Sequence, residues 1–423
     1  MIHNYKYTEN AFLPKTVTIP LVQERDIFCK PVIKIGEEVK EGQIIAASDV
    51  SVIHSPIPGT VKDLCSINCP DGKIEKALVI NMHGSFSYLG KKHRSEEWKS
   101  LSPASIERKL DGKGIVNIFS CTKSVPVTEQ IKTFIRKKNK TIVVRLFDED
   151  TFRITDSLMS QFYFDQIVEG AKILAKVTEA DGILFVTSSK EIKARALEND
   201  EKQKIYYLGL DIKKYTNGFK HGIINAFNKS MRKTCPLSVS RYDFFVDSYT
   251  LYDIYNAVVF DLPVLTRYIH FTGNCLPASC FLNVRLGFTL RDVIKQLGGL
   301  TKNLEAVIIN GNICGNSVNS LDIPITKYVK SVEFLSKNYS TDSQVYSCVK
   351  CGECRFKCPV NLAPDILYEY ALKKTELPKK FVETATLCIN CGLCNTVCQA
   401  RIPLCQVITM INNKMDSEDE NEN

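Results

Sequence analysis

The chain has 423 residues, 44% of them hydrophobic, and a formal net charge of +8, enough for about two to four soluble domains with real cores. No apolar run approaches the ~18 residues needed to cross a bilayer; the best candidate, Ala257 to Leu265, is broken by Asp261 and Pro263. Nothing resembles a secretory signal, and no nucleic-acid recognition motif accompanies the basic excess.

In chain order, Pro31 to Ile35, Ile44 to Ala47 and Val52-Ile53 are short apolar runs separated by Gly36, Gly42 and Gly59. This pattern predicts a compact β unit over residues 1–95. Ile35-Gly36-Glu37-Glu38-Val39-Lys40-Glu41-Gly42-Gln43-Ile44-Ile45-Ala46 and Ser55-Pro56-Ile57-Pro58-Gly59-Thr60-Val61 resemble the two hairpins of lipoyl and biotinyl carrier domains. In those domains a lysine on the intervening turn holds the cofactor. Here the turn is Ser48-Asp49-Val50-Ser51, so swinging-arm chemistry is not expected, and His54 is expected to be structural. The basic runs Lys91 to Arg94 and Arg136 to Lys140 suit a solvated surface, or a face toward anionic lipid or an acidic carrier protein.

Residues 96–262 alternate between strand-like runs (Gly114 to Phe119, Thr141 to Phe147, Gly182 to Thr187, Lys204 to Leu210) and helical stretches. Val127 to Lys138 and Leu158 to Ala175 repeat apolar residues at helical spacing. The alternation predicts an α/β layer with a largely parallel sheet. Residues 263–335 read as a small β-rich unit, with strands near Tyr268 to Thr272 and Ala306 to Ile309 and a helix over Leu290 to Leu297.

The most specific signal lies in residues 336–410. Cys348, Cys351, Cys354 and Cys358 form C-x2-C-x2-C-x3-C before Pro359; Cys388, Cys391, Cys394 and Cys398 repeat the spacing before Gln399. This is the ligand arrangement of bacterial two-cluster ferredoxins, in which three close cysteines hold one cube and the fourth reaches the other. One [4Fe–4S] cluster is therefore assigned to Cys348, Cys351, Cys354 and Cys398, and the second to Cys388, Cys391, Cys394 and Cys358. Zinc would use two C-x2-C pairs per ion and leave two cysteines of each run without a role. The remaining nine of the 17 cysteines share no spacing; they read as small buried residues in a reducing compartment, Cys405 among them as a packed residue. Residues 411–423, with an acidic run from Asp416, are expected to be disordered.

Together, the barrel words from His3 onward and the paired cysteine runs resemble the C subunit of the Rnf ion-translocating electron transport complex, the RnfC family. The resemblance implies a multidomain α/β and α+β protein. Its parts would be an N-terminal barrel-sandwich hybrid, an α/β domain like the flavin- and NADH-binding subunit of complex I, a soluble-ligand-binding β-grasp domain and a C-terminal helical two-cluster ferredoxin domain. The family's flavin loop reads approximately G-x-G-G-A-G-F-P-T; the aligned stretch here runs from Gly114 to Pro126 and has no glycine after Gly114, with Phe119, Cys121 and Lys123 where the family has bare backbone. A phosphate loop needs exposed N–H groups, so FMN is not expected. Gly114, Asp148 and Glu149 mark the remnant flavin region, and the Y-P-x-G word survives only as Tyr215-Thr216-Asn217-Gly218.

The resemblance further implies a peripheral protein at the cytoplasmic face of the inner membrane. Its partners would be the complex's membrane subunits and a soluble carrier such as ferredoxin or flavodoxin, with NADH handling by this chain not expected. Two other readings use the same residues. A cobalamin-reductase-type flavin and iron–sulfur enzyme of a microcompartment shares the order of parts but needs a working flavin loop. A non-redox binding module would keep its clusters for structure alone.

Overall fold

The computed structural model describes residues 9–24, 27–120, 124–337 and 344–421; His3, Cys121 and Lys123 lie outside them. The chain forms two compact units, Met1–Tyr339 and Ser340–Asn423.

In the first unit, the N-terminal part folds two small sheets around one core. Thr16–Pro20, Ile74–Met82, Gly59–Asn68 and Glu38–Val39 form one sheet, and Lys30–Pro31, Ile44–Ala47 and Val52–His54 the other. Alternation along the strands turns Val17, Ile19, Ile45, Ile53, Val61, Leu78 and Ile80 inward. The turn from Ser48 to Ser51 is closed by its own serines, with the Ser51 amide donating to Ser48 Oγ at 3.0 Å.

The α/β layer follows the expected alternation. Its four strands are all parallel, in the spatial order Ile205–Leu210, Gly182–Ser188, Thr141–Arg145, Phe244–Asp247. Helices Thr155–Phe162 and Phe164–Thr178 divide the stretch expected as one, and the strand expected over Gly114 to Phe119 is reduced to Val116–Asn117. Helix Ser248–Phe260 starts where the Asp247 carboxylate accepts the Thr250 amide at 2.7 Å, an N-cap that places a buried acid at the end of an edge strand.

The last part of this unit is a six-stranded mixed sheet with helix Leu290–Gln296 beside it. Its outermost strand is Glu9–Asn10, which pairs in parallel with Cys280–Arg285. A pairing across about 270 residues leaves no periodic signal in so short a strand. One core, from Ile106 to Phe334, lies under both the α/β layer and this sheet. The barrel is tied on by Arg285, which donates to Glu41 at 2.5 Å and to the Pro56 carbonyl at 2.7 Å.

The second unit is helical. Two short helices, Glu353–Phe356 and Leu393–Thr396, each follow a cysteine turn, and each leads into a longer one, Pro364–Ala371 and Leu404–Asn421. The last helix continues through Asn421, so the backbone from 411 to 421 is helical where composition predicts disorder.

Candidate metal centres

The two cysteine runs recur forty residues apart, Cys348 with Cys388 through Cys358 with Cys398, and their backbones recur with them. Lys350 and Asn390, third in each C-x2-C turn, have φ of 55° and 52°; Gly352 and Gly392 have 78° and 69°; Asn361 and Arg401 both have 56°. A left-handed residue reverses the chain, so that successive cysteines face one space. Non-glycine residues in this conformation cost about 1–2 kcal/mol each. Four such positions recur in register, and strain of this kind clusters at functional sites.

Two cavities result. The first is lined by Cys348, Cys351, Cys354 and Cys398, with Asp365 on its wall. The second is lined by Cys388, Cys391, Cys394 and Cys358, with Cys405 on its wall. Each cavity thus takes three cysteines from one run and the fourth from the other.

Among the described residues no three His, Cys, Asp or Glu side chains converge on a point that could hold a single metal ion. Four cysteines line each cavity, and an all-cysteine donor set is the chemistry an iron–sulfur cube requires. Backbone amides already point at sulfur: Leu362 donates to Cys358 Sγ at 3.3 Å, Ile402 to Cys398 Sγ at 3.5 Å and Asn390 to Cys388 Sγ at 3.4 Å. Burial pushes the Cys354 and Cys391 thiols up to about 11, so loading either cavity releases protons.

The remnant flavin region is differently built. In an open parallel sheet, ligands bind beyond the strand ends where strand order reverses. Here that point lies between Thr141–Arg145 and Phe244–Asp247, and side chains of the protein fill it. Arg145 donates from Nε to the Phe147 carbonyl at 2.9 Å, from Nη1 to Gly218 at 2.9 Å and from Nη2 to Phe119 at 2.6 Å. Its guanidinium lies 4.1 Å from the centre of the Phe119 ring. Glu149 is paired with both Arg145 and Arg153, and Asp148 with Arg153 at 2.9 Å. Lys330, fully buried, bridges Asp156 at 2.7 Å and Asp247 at 2.6 Å.

Asp148 and Glu149 therefore lie together, but their oxygens are engaged by arginines. Gly114 lies apart from them: a Cβ there would meet Lys327 Nζ and the Val52 carbonyl, both at 2.8 Å, and its φ is +68°. It is a close-packing position against the barrel. Arg145 and Lys330 were not legible as site residues, because single basic residues in apolar runs have no spacing to betray them.

Burial alone pushes the Glu149 carboxyl up, but Arg145, Arg153 and Lys330 together outweigh it and hold the group at about 2, below its ordinary 4.5. A depressed carboxyl contributes stability that is complete above the unfolded value and lost as pH falls through the folded one. Wild type should therefore lose this contribution between about pH 4.5 and about pH 2. Urea midpoints measured across that window should fall more steeply for wild type than for Glu149→Gln; parallel curves would refute the pairing.

The RnfC barrel sandwich hybrid domain matches residues 3–85. The chain is 28% identical over 374 residues to the C subunit of the proton-translocating ferredoxin:NAD(+) oxidoreductase complex of Clostridium ljungdahlii, covering 86% of this chain and 81% of that protein. It is 23% identical to the C subunit of the Na(+)-translocating ferredoxin:NAD(+) oxidoreductase complex of Acetobacterium woodii, covering 85% and 82%. The C subunit of an ion-translocating oxidoreductase complex of Buchnera aphidicola matches at 23%, covering 88% and 78%. Among solved structures, a chain of an NAD+-reducing [NiFe]-hydrogenase shares the fold with a TM-score of 0.50 at 13% identity. That match covers 70% of this chain, which spans 60% of the hydrogenase chain.

Proposed function

The chain is a member of the RnfC family, and on that premise we propose that it is the C subunit of an Rnf-type ion-translocating ferredoxin:NAD+ oxidoreductase, serving electron transfer through two [4Fe–4S] clusters. The observation that carries this reading is the crosswise lining of the two cavities by Cys348, Cys351, Cys354 and Cys398 and by Cys388, Cys391, Cys394 and Cys358. When bound, such clusters supply one-electron transfer over a range of potentials set by charge, hydrogen bonds and exposure. The chain's own part is to hold the iron through these eight thiolates, to donate N–H groups to their sulfurs and to shield them with Ile402, Leu404 and Ile408.

Residues 96–262 take the role of a scaffold or docking platform, and neither FMN binding nor NADH oxidation is assigned to them. The support is physical: a flavin would have to displace Arg145, Phe119 and the buried pairs beyond the strand ends. Electrons then come from a partner protein such as ferredoxin or flavodoxin. Residues 1–95 are read as a barrel-sandwich hybrid, 263–335 as a β-grasp domain and 336–410 as the ferredoxin domain, with membrane subunits as partners at the cytoplasmic face of the inner membrane. Among the described residues no helix is long and apolar enough to cross a membrane, which suits peripheral attachment.

Reduction of the anaerobically purified protein, followed by EPR, tests the redox reading. Reversible one-electron signals from two interacting centres are expected. A holoprotein that stays silent on reduction would instead point to clusters kept for structure.

A further inference from the structure

The charge of the chain is unevenly spread. It carries 55 basic residues against 47 acids overall, yet residues 212–242 hold seven Lys or Arg and no Asp or Glu. A face that is merely solvated mixes both signs. The run Arg136 to Lys140 is a second basic stretch, distant from the first in sequence.

The parallel sheet brings the two together. Because its four strands run the same way, the connections that enter them share one edge. Residues 135–140 enter Thr141–Arg145, and 231–243 enter its neighbour Phe244–Asp247. Asp243, buried, joins these connections: its carboxylate accepts the Thr141 amide at 3.1 Å and the Ser240 amide at 2.6 Å, and pairs with Lys137. Thr141 Oγ1 also donates to the Ser238 carbonyl at 2.8 Å. Helix Lys220–Ser230 seats Ile223 and Phe227 on the sheet and brings Lys229, in its last turn, to the same edge.

Asp243 thus neutralises Lys137, and Glu179 lies 4.0 Å from Lys140. Arg136, Lys138, Lys229, Arg232, Lys233 and Arg241 are exposed and form no ion pair among the described residues. Beside them Tyr242 stays 66% exposed, with the Arg241 guanidinium 4.7 Å from its ring centre, and Ile135 on the adjoining connection is exposed as well. Two properties select the surface that such a face fits. Apart from Arg241, its cations are long side chains with no partner to hold them, which suits a fluid layer of anionic groups better than a partner of fixed geometry. An open tyrosine among cations is the residue that settles at the headgroup level of a bilayer, and each cation near an anionic leaflet adds about fivefold to binding.

We propose that this edge, carried by the connections into Thr141–Arg145 and Phe244–Asp247, is a docking surface for the anionic lipid headgroups of a membrane. The assignment goes beyond the redox reading and needs neither cluster. It gives the α/β layer, whose strand-end crevice is filled by its own side chains, a task of its own: attaching the chain to a bilayer.

The test is flotation of the full holoprotein with vesicles of phosphatidylglycerol and phosphatidylcholine in equal parts, and with vesicles of phosphatidylcholine alone. Binding to the first and not to the second is expected. It should weaken as salt rises from about 0.1 to about 1 M and the screening length falls from about 10 to about 3 Å. Arg232→Gln with Lys233→Gln should lower the partition coefficient about 25-fold, and Arg136→Gln with Lys138→Gln should do the same. Tyr242→Ser should weaken binding without changing its salt dependence. Lys190→Gln with Lys193→Gln removes equal charge at helix Ser189–Ala194, at the opposite end of the strands, and should leave binding as in wild type. No binding to the mixed vesicles overturns the proposal; so does an equal loss in the Lys190 and Lys193 variant, which would make net charge the cause. Vesicles left unbound, with the Arg232 and Lys233 variant taking electrons more slowly from a reduced acidic ferredoxin, would also overturn it and reassign the face to a carrier protein. Iron content and EPR of the same preparation report on the clusters separately, so failure of the redox reading and failure of the lipid surface are distinguishable.

Discussion

Cys398→Ala is expected to lower iron from about eight to about four per chain, and the cluster lost is the one held by Cys348, Cys351 and Cys354, although the mutation lies in the other run. Cys398 lines the first cavity, not the second, and losing one of four thiolates leaves an open iron corner exposed to solvent. In the variant, Cys348, Cys351 and Cys354 should become reactive to an alkylating reagent, while Cys388, Cys391, Cys394 and Cys358 stay protected. Cys358→Ala should give the mirror image. If each run instead held its own cluster, Cys398→Ala would unmask Cys388, Cys391 and Cys394, and peptide mapping of the alkylated thiols separates the two patterns without relying on activity.

Lys330→Met is expected to cost about 3–5 kcal/mol of stability. The ammonium sits fully buried between Asp156 and Asp247, at 2.7 and 2.6 Å. Without it, two buried carboxylates face each other with no cation between them. Even with the lysine present, burial followed by the neighbouring Asp247 and Asp148 raises the Asp156 carboxyl to about 7, so its charge is sustained narrowly. In the variant the raised Asp156 carboxyl would rise further and the Asp247 carboxyl, which despite its burial Lys330 and Thr250 hold low in wild type, would rise too, and their protonated forms are favoured as pH falls. The deficit should therefore be largest above neutral pH and shrink in acid. Adding Asp156→Asn should recover part of it. Denaturant midpoints at two pH values check both statements, and an unchanged midpoint in Lys330→Met would mean that the network filling the strand-end crevice has no structural weight.

The grouping of the eight cysteines into two cavity linings follows their local spacing, and local spacing is what a sequence displays. Gly352 and Gly392 could be anticipated from their place after each C-x2-C turn; the left-handed Lys350 and Arg401 could not, since neither residue type advertises that conformation. Three strands of the parallel sheet, Thr141–Arg145, Gly182–Ser188 and Ile205–Leu210, were legible from their apolar runs; Phe244–Asp247 was not, and the run at Gly114 to Phe119 supplies only Val116–Asn117, outside that sheet. The sharing of elements within the first unit was not legible: Glu9–Asn10 joins a sheet built from residues beyond 260, and one core serves both layers. The loss of glycines after Gly114 pointed to a changed flavin loop, yet what occupies the crevice came only from the fold. Arg145, Lys330, Asp156 and Asp247 are brought together from four separate segments. Cys405 was read as packing; its place on the second cavity's wall follows from helix Leu404–Asn421, whose position no local pattern encodes.

The most direct test is a cofactor inventory on protein purified without oxygen: iron, acid-labile sulfide and acid-released flavin per chain. About eight iron and about eight sulfide, with no stoichiometric FMN, is the expected result for a protein whose redox centres are the two cysteine cradles. One FMN per chain, or iron near four or below, would contradict it.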